Sequence, residues 1–251
     1  MKGVIVLGTA GSGKTTFTAN FSKWLNENFL IKSCPVNLDP GASSLPYEPS
    51  YDIRDMISVE DLMRRENLGP NGAIVRAADL IVDRSDDIVR SLESLDCDTL
   101  IIDTPGQMEI FAFRPTGRAL CERLSRGTRL LSIYLGDYDP KRDLEDLISS
   151  AFLAKILELK LGVKVIPVLN KSDLWGGRDF SDIWEAVLRG EMSVLEGRDG
   201  VYVDALQDLL KAISSFRSPI RVISISAKYS HGFGEVFDSL NEAWCACGDM
   251  T

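Results

Sequence analysis

The stretch Gly3-Val4-Ile5-Val6-Leu7-Gly8-Thr9-Ala10-Gly11-Ser12-Gly13-Lys14-Thr15-Thr16 decides how this chain is read. An apolar run, Gly3–Leu7, enters a glycine-rich loop and then a helical pattern from about Lys14 to Asn28. Phe17, Phe21, Trp24 and Leu25 share one face of that pattern. Gly8 to Thr15 match GxxxxGK[ST] in the strand–loop–helix context that the motif requires. Its glycines let successive N–H groups point inward without a Cβ in the way. Those donors and the helix N-terminus cradle phosphate oxygens. Ala10, Gly11, Ser12, Gly13, Lys14, Thr15 and Thr16 are therefore the phosphate-binding candidates. Lys14 supplies a point charge at the β- and γ-phosphates, and the Thr15 hydroxyl is a candidate Mg²⁺ ligand. The bland alternative is a glycine-rich turn with a coincidental lysine, which the flanking elements disfavour.

Outward from this loop, short β-rich runs alternate with amphipathic helices. Cys34–Leu38, Leu100–Ile102, Leu130–Leu135, Val163–Leu169 and Ile220–Ile225 read as strands. Leu144, Leu147, Ile148 and Ala151 mark one helix; Leu206, Leu209, Leu210 and Ile213 mark another. Continuous apolar strands separated by such helices predict an α/β fold of the P-loop NTPase type. Its sheet would be mostly parallel and doubly wound, with helices on both faces. Pro167 sits awkwardly inside a strand, because proline cannot donate to the ladder. One domain over 1–251 is expected, with an insertion at about 40–72. That insertion is rich in Pro, Gly and charge and contains one short helix starting near Ser58, with Asp61 three residues on. A long connection beside a phosphate site is usually functional or a flexible cover.

Each remaining motif follows one of these strands, so all fall at one sheet edge, where ligands of open α/β sheets bind. Asp103-Thr104-Pro105-Gly106-Gln107 comes after Leu100–Ile102. Asp103 is a candidate Mg²⁺ ligand or, alternatively, a helix cap. Gly106 lets its N–H approach a γ-phosphate. Gln107 can orient an attacking water without being a strong base, or it is an exposed polar residue. Asp39 ends the second strand and can position water, or it is a turn residue before Pro40. Glu109 is a weaker candidate of the same kind. Asn170-Lys171-Ser172-Asp173 matches NKxD, which reads guanine. The Asp173 carboxylate accepts from N1–H and the exocyclic amine, whereas adenine would leave it unpaired, a mismatch worth roughly 10⁴-fold. The Lys171 stem can lie over the ring, and Asn170 can tie the loop or contact the base edge. Ser226-Ala227-Lys228 matches the SAK element that backs guanine O6 through a backbone N–H. The elements in this order imply a GTP- or GDP-binding site.

Composition sets limits on this reading. With 45% hydrophobic and 26% charged residues the chain looks globular. At 251 residues it can bury roughly three quarters of its unfolded surface, enough to fold without disulfides. A net charge of −9 argues against direct nonspecific nucleic-acid binding, which needs a broad basic face. Five scattered cysteines imply reduced thiols; Cys245 and Cys247 lack redox or zinc spacing, with a metal site shared across an oligomer as the weaker alternative. His231, the lone histidine, reads as a loop residue. The apolar run Gly3–Gly8 is too short for a signal-peptide core, and no stretch approaches the ~20 residues of a membrane span. No membrane association and a cytoplasmic location are expected.

The sequence resembles the GPN-loop GTPases over nearly its whole length. Gly69-Pro70-Asn71 is the diagnostic element. Leu45-Pro46-Tyr47-Glu48-Pro49, the segment from Asp103 to Glu109, and Cys245-Ala246-Cys247-Gly248-Asp249 are also similar to that family. Lacking a long C-terminal tail, the chain looks like a compact archaeal member. By composition alone Gly69–Gly72 would be a surface turn. The resemblance implies a homodimer in which the GPN loop of one subunit reaches the phosphate end of its partner's nucleotide. Asn71 would then supply a neutral amide to the γ-phosphoryl oxygens, so Gly69, Pro70 and Asn71 join the catalytic candidates. It also implies a conformational switch and, from eukaryotic relatives, a protein client such as RNA polymerase. The leading expectation is a Mg²⁺-dependent GTPase. An assembly factor with slow hydrolysis, or a phosphotransferase with an acceptor pocket in the insertion, are the competing readings.

Overall fold

Val4, Val6, Ile101 and Ile102 are buried, and every residue of the Thr99–Asp103 run is. Such burial marks strands covered on both faces. The computed structural model describes residues 1–137, 144–176, 179–197, 202–215 and 221–246. Among them the order runs β1 (Lys2–Leu7), α1 (Lys14–Phe29), β2 (Ser33–Asn37), β3 (Tyr51–Asp52), α2 (Val59–Glu66), α3 (Pro70–Asp83), α4 (Ser85–Glu93) and β4 (Thr99–Asp103). It continues with α5 (Met108–Ala112), α6 (Pro115–Leu124), β5 (Arg129–Asp137), α7 (Leu144–Leu161), β6 (Val165–Asn170), α8 (Ser181–Arg189), α9 (Val203–Ser214), β7 (Ile223–Ser224) and α10 (Phe233–Ala246). The strands form one sheet in the order β3-β2-β4-β1-β5-β6-β7. Every pairing in it is parallel, where the sequence implied a mostly parallel sheet. All strand C-termini therefore open on one edge.

The pleat sorts side chains between two cores. Val4 and Val6 pack with Phe17, Phe21, Phe233 and Trp244, beneath α1 and α10. Ile5 and Leu7 point to the opposite face, which the other helices cover. Each such buried aliphatic contributes about 1.5–3 kcal/mol. No helix among the described residues is long and apolar enough to cross a membrane.

Pro167 lies in β6, next to the short edge strand β7. Leu169 O accepts from Ile225 N–H, so its polar groups face β7, and by alternation those of Pro167 face the same way. Pairing with β7 begins only at Val168↔Ile223, so the missing N–H costs no ladder bond. Pro35 in β2 repeats the arrangement, since β3 starts opposite Val36.

The insertion is more ordered than its composition suggests. The Ser58 side chain caps α2 by accepting from Asp61 N–H, as the spacing predicts. Two features differ from the sequence reading. β3 pairs with β2 through two residues, too few to leave a periodic trace. Gly69-Pro70-Asn71-Gly72, which composition alone makes a surface turn, heads α3 instead: Gly69 is the cap and Pro70 takes the first helical position, where its missing N–H is no loss.

Candidate functional site

The loop between β1 and α1 depends on its glycines. Gly11 (φ 79°) and Gly13 (φ 98°) adopt left-handed conformations. A Cβ on Gly13 would also lie 2.4 Å from Asn170 Nδ2. The first turn of α1 carries no acidic residue, so the positive end of the helix faces the loop unopposed. Lys14 is buried and donates from Nζ to the carbonyls of Gly8 (2.9 Å) and Thr9 (3.0 Å). Burial lowers its pKa, against the opposing pull of Asp103, Asp39 and Glu109. One ammonium thus stands among these carboxylates. Thr9, Ala10, Gly11 and Thr16 are exposed around it, Thr15 is half-buried, and Ser12 is buried.

Asp103 at the end of β4 is 1% exposed. Burial pushes its pKa up to about 6, partly offset by the Thr15 hydroxyl, Lys14 and Tyr47. Its Oδ2 accepts from Tyr47 Oη at 3.2 Å, while Oδ1 is buried without a hydrogen-bond partner. An orphaned carboxylate oxygen beside a threonine hydroxyl fits Mg²⁺, which takes few protein oxygens and completes its shell with phosphate and water. Among the described residues no group of three or more His, Cys, Asp or Glu gathers to form a closed metal cage. Cys245 is exposed, and Cys247 lies outside the described residues.

Asp39 bridges two loops. Oδ1 accepts from Gly41 N–H at 2.9 Å, and Oδ2 accepts from Gly106 N–H at 3.2 Å. Asn37, fully buried, holds the Asp39 backbone: its Oδ1 accepts from Asp39 N–H (3.0 Å), and its Nδ2 donates to Asp39 O (3.2 Å). Gln107 and Glu109 are exposed at the start of α5. Gln107 borders an apolar cavity of about 230 Å³ between α3 and α5, lined also by Asp39, Gly106, Ile74 and Phe111.

The base-side motifs meet the phosphate loop through Asn170. Its Nδ2 donates to Ser12 O (2.8 Å), and its Oδ1 accepts from Ala227 N–H (2.9 Å). Asn170 is buried at the centre of three loops and acts as a brace between them. Asn20 Nδ2 of α1 holds Ala227 O from the other side, at 2.8 Å. Asp173 is exposed, and its Oδ1 accepts from Ser226 Oγ at 2.5 Å. Lys171, in a left-handed conformation, pairs with Asp137 Oδ2 at 2.7 Å, while Lys228 is exposed and lies over the Tyr229 ring. His231 lies in the loop after β7 and pairs with Ser226 through its backbone.

The fold thus gathers the phosphate loop, Asp39, Asp103, Gly106, Gln107, the NKSD loop and the SAK loop at one sheet edge. Among the described residues, the GPN residues make no hydrogen bond to this group. Gly69, Pro70 and Asn71 are exposed, and no hydrogen bond among the described residues joins them to the phosphate loop, Asp39 or Gln107. Sequence reasoning missed Tyr47, Asn37 and Asn20 as supports of this site. Only Tyr47 left a signal, lying in the Pro-flanked stretch that carries part of the resemblance; side-chain amides at a strand end or on a helix look like any other polar residue.

Comparison with known proteins agrees with this geometry. A family model described as "Conserved hypothetical ATP binding protein" matches residues 6–246. The chain is 36% identical to GPN-loop GTPase PAB0955 of Pyrococcus abyssi, with 99% of each protein covered. It is 32% identical to GPN-loop GTPase 1 of Dictyostelium discoideum over 96% of this chain, and spans 61% of that longer protein. The crystal structure of PAB0955, a GTPase in apo form, superposes with a TM-score of 0.84 at 34% identity, covering 98% of both chains.

Proposed function

The chain belongs to the GPN-loop GTPases, a family that binds and hydrolyses GTP, and on that premise we propose that it is a Mg²⁺-dependent, homodimeric cytoplasmic switch whose phosphate site is completed by Asn71 of a second copy. The phosphate-loop amides and Lys14 bind and orient the phosphates. Asp173 reads the guanine edge, and Asn170 holds base loop and phosphate loop in one register. Thr15 and Asp103 would hold Mg²⁺, which when bound neutralises charge developing on the β- and γ-phosphoryl oxygens. Gln107, exposed beside Gly106, positions the attacking water. Asp39 is the alternative for that role, although its carboxylate oxygens already accept from Gly41 and Gly106. The unfilled apolar space between α3 and α5 gives these elements room to repack between nucleotide states.

The observation that carries the dimer reading is the placement of Gly69, Pro70 and Asn71. They head α3 in the open, with no hydrogen bond among the described residues to their own phosphate site. A neutral amide at a helix N-terminus suits developing negative charge. Removing such a donor typically costs about 10²–10³ in turnover. Asn71→Ala is therefore expected to lose about that much activity while keeping nucleotide affinity. A mixture of Asn71→Ala and Lys14→Ala proteins separates cis from trans action. In the mixed dimer the Asn71→Ala subunit binds GTP and receives Asn71 from its Lys14→Ala partner, so activity returns. Two inactive variants that stay inactive when mixed, with dimers shown by sizing, would sink the trans mechanism.

The switch is further proposed to act on a protein client, RNA polymerase being the candidate that the resemblance supplies. A Gln107→Ala protein loaded with GTP that captures no polymerase subunit from extract removes that client and leaves the GTPase reading intact.

A further inference from the structure

We propose that Asp39 is a built-in competitor for the third phosphate: its carboxylate holds the Gly106 amide that the γ-phosphoryl group needs, so GTP must displace Asp39 whereas GDP does not. This inference rests on the reading that the Gly106 N–H approaches the γ-phosphate.

The contact is chemical mimicry. Carboxylate and phosphoryl oxygens are both anionic acceptors for a backbone N–H. The link from Asp39 to Gly41 N–H spans two residues and belongs to a local turn. The link to Gly106 is different in kind, because it reaches across to the loop after β4. It is also the longer of the two, 3.2 Å against 2.9 Å. The Asp39 backbone stays anchored through Asn37 on both its N–H and its C=O. Displacement is thereby confined to the side chain. A Cβ on Gly106 would meet nothing within 4 Å, so the space beside its Cα is open.

Charge works in the same direction. Asp103, Asp39 and Glu109 all place negative charge near Lys14. A γ-phosphoryl group arriving beside Asp39 adds like charge at short range, which favours outward rotation of the carboxylate. Asp39 thus sets how strongly the site prefers triphosphate over diphosphate, and its release carries the presence of the third phosphate into the Pro40–Ala42 turn.

The test is calorimetric titration of the full chain with GDP and with the β,γ-imido analogue of GTP, at fixed Mg²⁺, for wild type, Asp39→Ala and Asp39→Asn. Asp39→Ala should shift the affinity ratio toward the triphosphate analogue by about 10-fold while GDP affinity changes by less than about 2-fold. Asp39→Asn keeps the shape and one acceptor without the charge, and should shift the ratio in the same direction by less. Retained GDP binding reports that each variant is folded. An unchanged ratio, or one that moves toward GDP, overturns the inference and leaves the nucleotide site standing. Wild-type protein that binds neither nucleotide, or a Lys14→Ala variant that binds GDP normally, overturns the site reading itself and this inference with it.

Discussion

Gly13 and Asn170 belong to two motifs that look independent in the sequence and are one device in the structure. Gly13 caps α1 at φ 98°, where any side chain is strained. The space its missing Cβ leaves is taken by Asn170 Nδ2, on its way to Ser12 O. Gly13→Ala should therefore cost about 1–3 kcal/mol of stability, from backbone strain and from loss of the Asn170 bridge. It should also weaken GDP binding by at least about 10-fold. Urea unfolding and calorimetry check both, and a variant that loses nucleotide at unchanged stability would argue that the bridge carries no energy. The motif made this glycine legible for one reason, an inward-turned N–H. The second reason, room for a buried amide from another loop, has no local trace.

At the scale of elements, the edge strand β3 earns its place through one carboxylate. Asp52 accepts from Asn37 Nδ2 (2.9 Å), from Arg54 N–H (2.9 Å) and from the Arg54 guanidinium (2.6 Å). Arg54 in turn donates to Ala42 O at 2.9 Å. β2, β3 and the turn after Asp39 are thus tied together, and the tie sets where Asp39 stands. Burial raises the Asp52 pKa, but the hydrogen bonds from Arg54 and Asn37 outweigh it, and the net shift is downward. A depressed carboxyl pKa contributes stability that is present above the unfolded value near 3.8 and is lost as pH falls through the folded value. Asp52→Ala should cost about 1–3 kcal/mol at pH 7, with the difference from wild type shrinking below about pH 4. Thermal melts across pH measure this, and a penalty that does not shrink as pH falls below the unfolded value would assign the effect to packing instead. Periodicity cannot announce a two-residue strand, and composition presented this region as a loop with one helix. What orders it is a set of side-chain bonds between segments, which no window of sequence displays.

At the scale of the molecule, α10 and α1 share an aromatic cluster on one face of the sheet. The Phe233 ring packs edge-on to Phe17 (5.4 Å) and Phe21 (5.2 Å), with Trp24 at 6.0 Å. Phe233 follows the SAK loop, and Phe17 follows the phosphate loop, so this cluster fixes the base side against the phosphate side. Phe233→Ala should cost about 3–5 kcal/mol and weaken guanine-nucleotide binding along with stability. Equilibrium unfolding with and without GDP tests it, and a variant destabilised without any loss of affinity would uncouple the cluster from the site. The layered α/β architecture and the kind of chemistry are legible in the amino-acid sequence alone. Strand burial, helix periodicity and phosphate-loop backbone geometry are local properties, each written in a handful of consecutive residues. Tertiary packing alone decides that Asn170 braces three loops, that Asp39 rests on the Gly106 amide, that Tyr47 donates to Asp103, and that Asn71 is exposed at the head of α3. Those are distances between segments far apart in the chain, set by strand order and helix packing across the whole sheet.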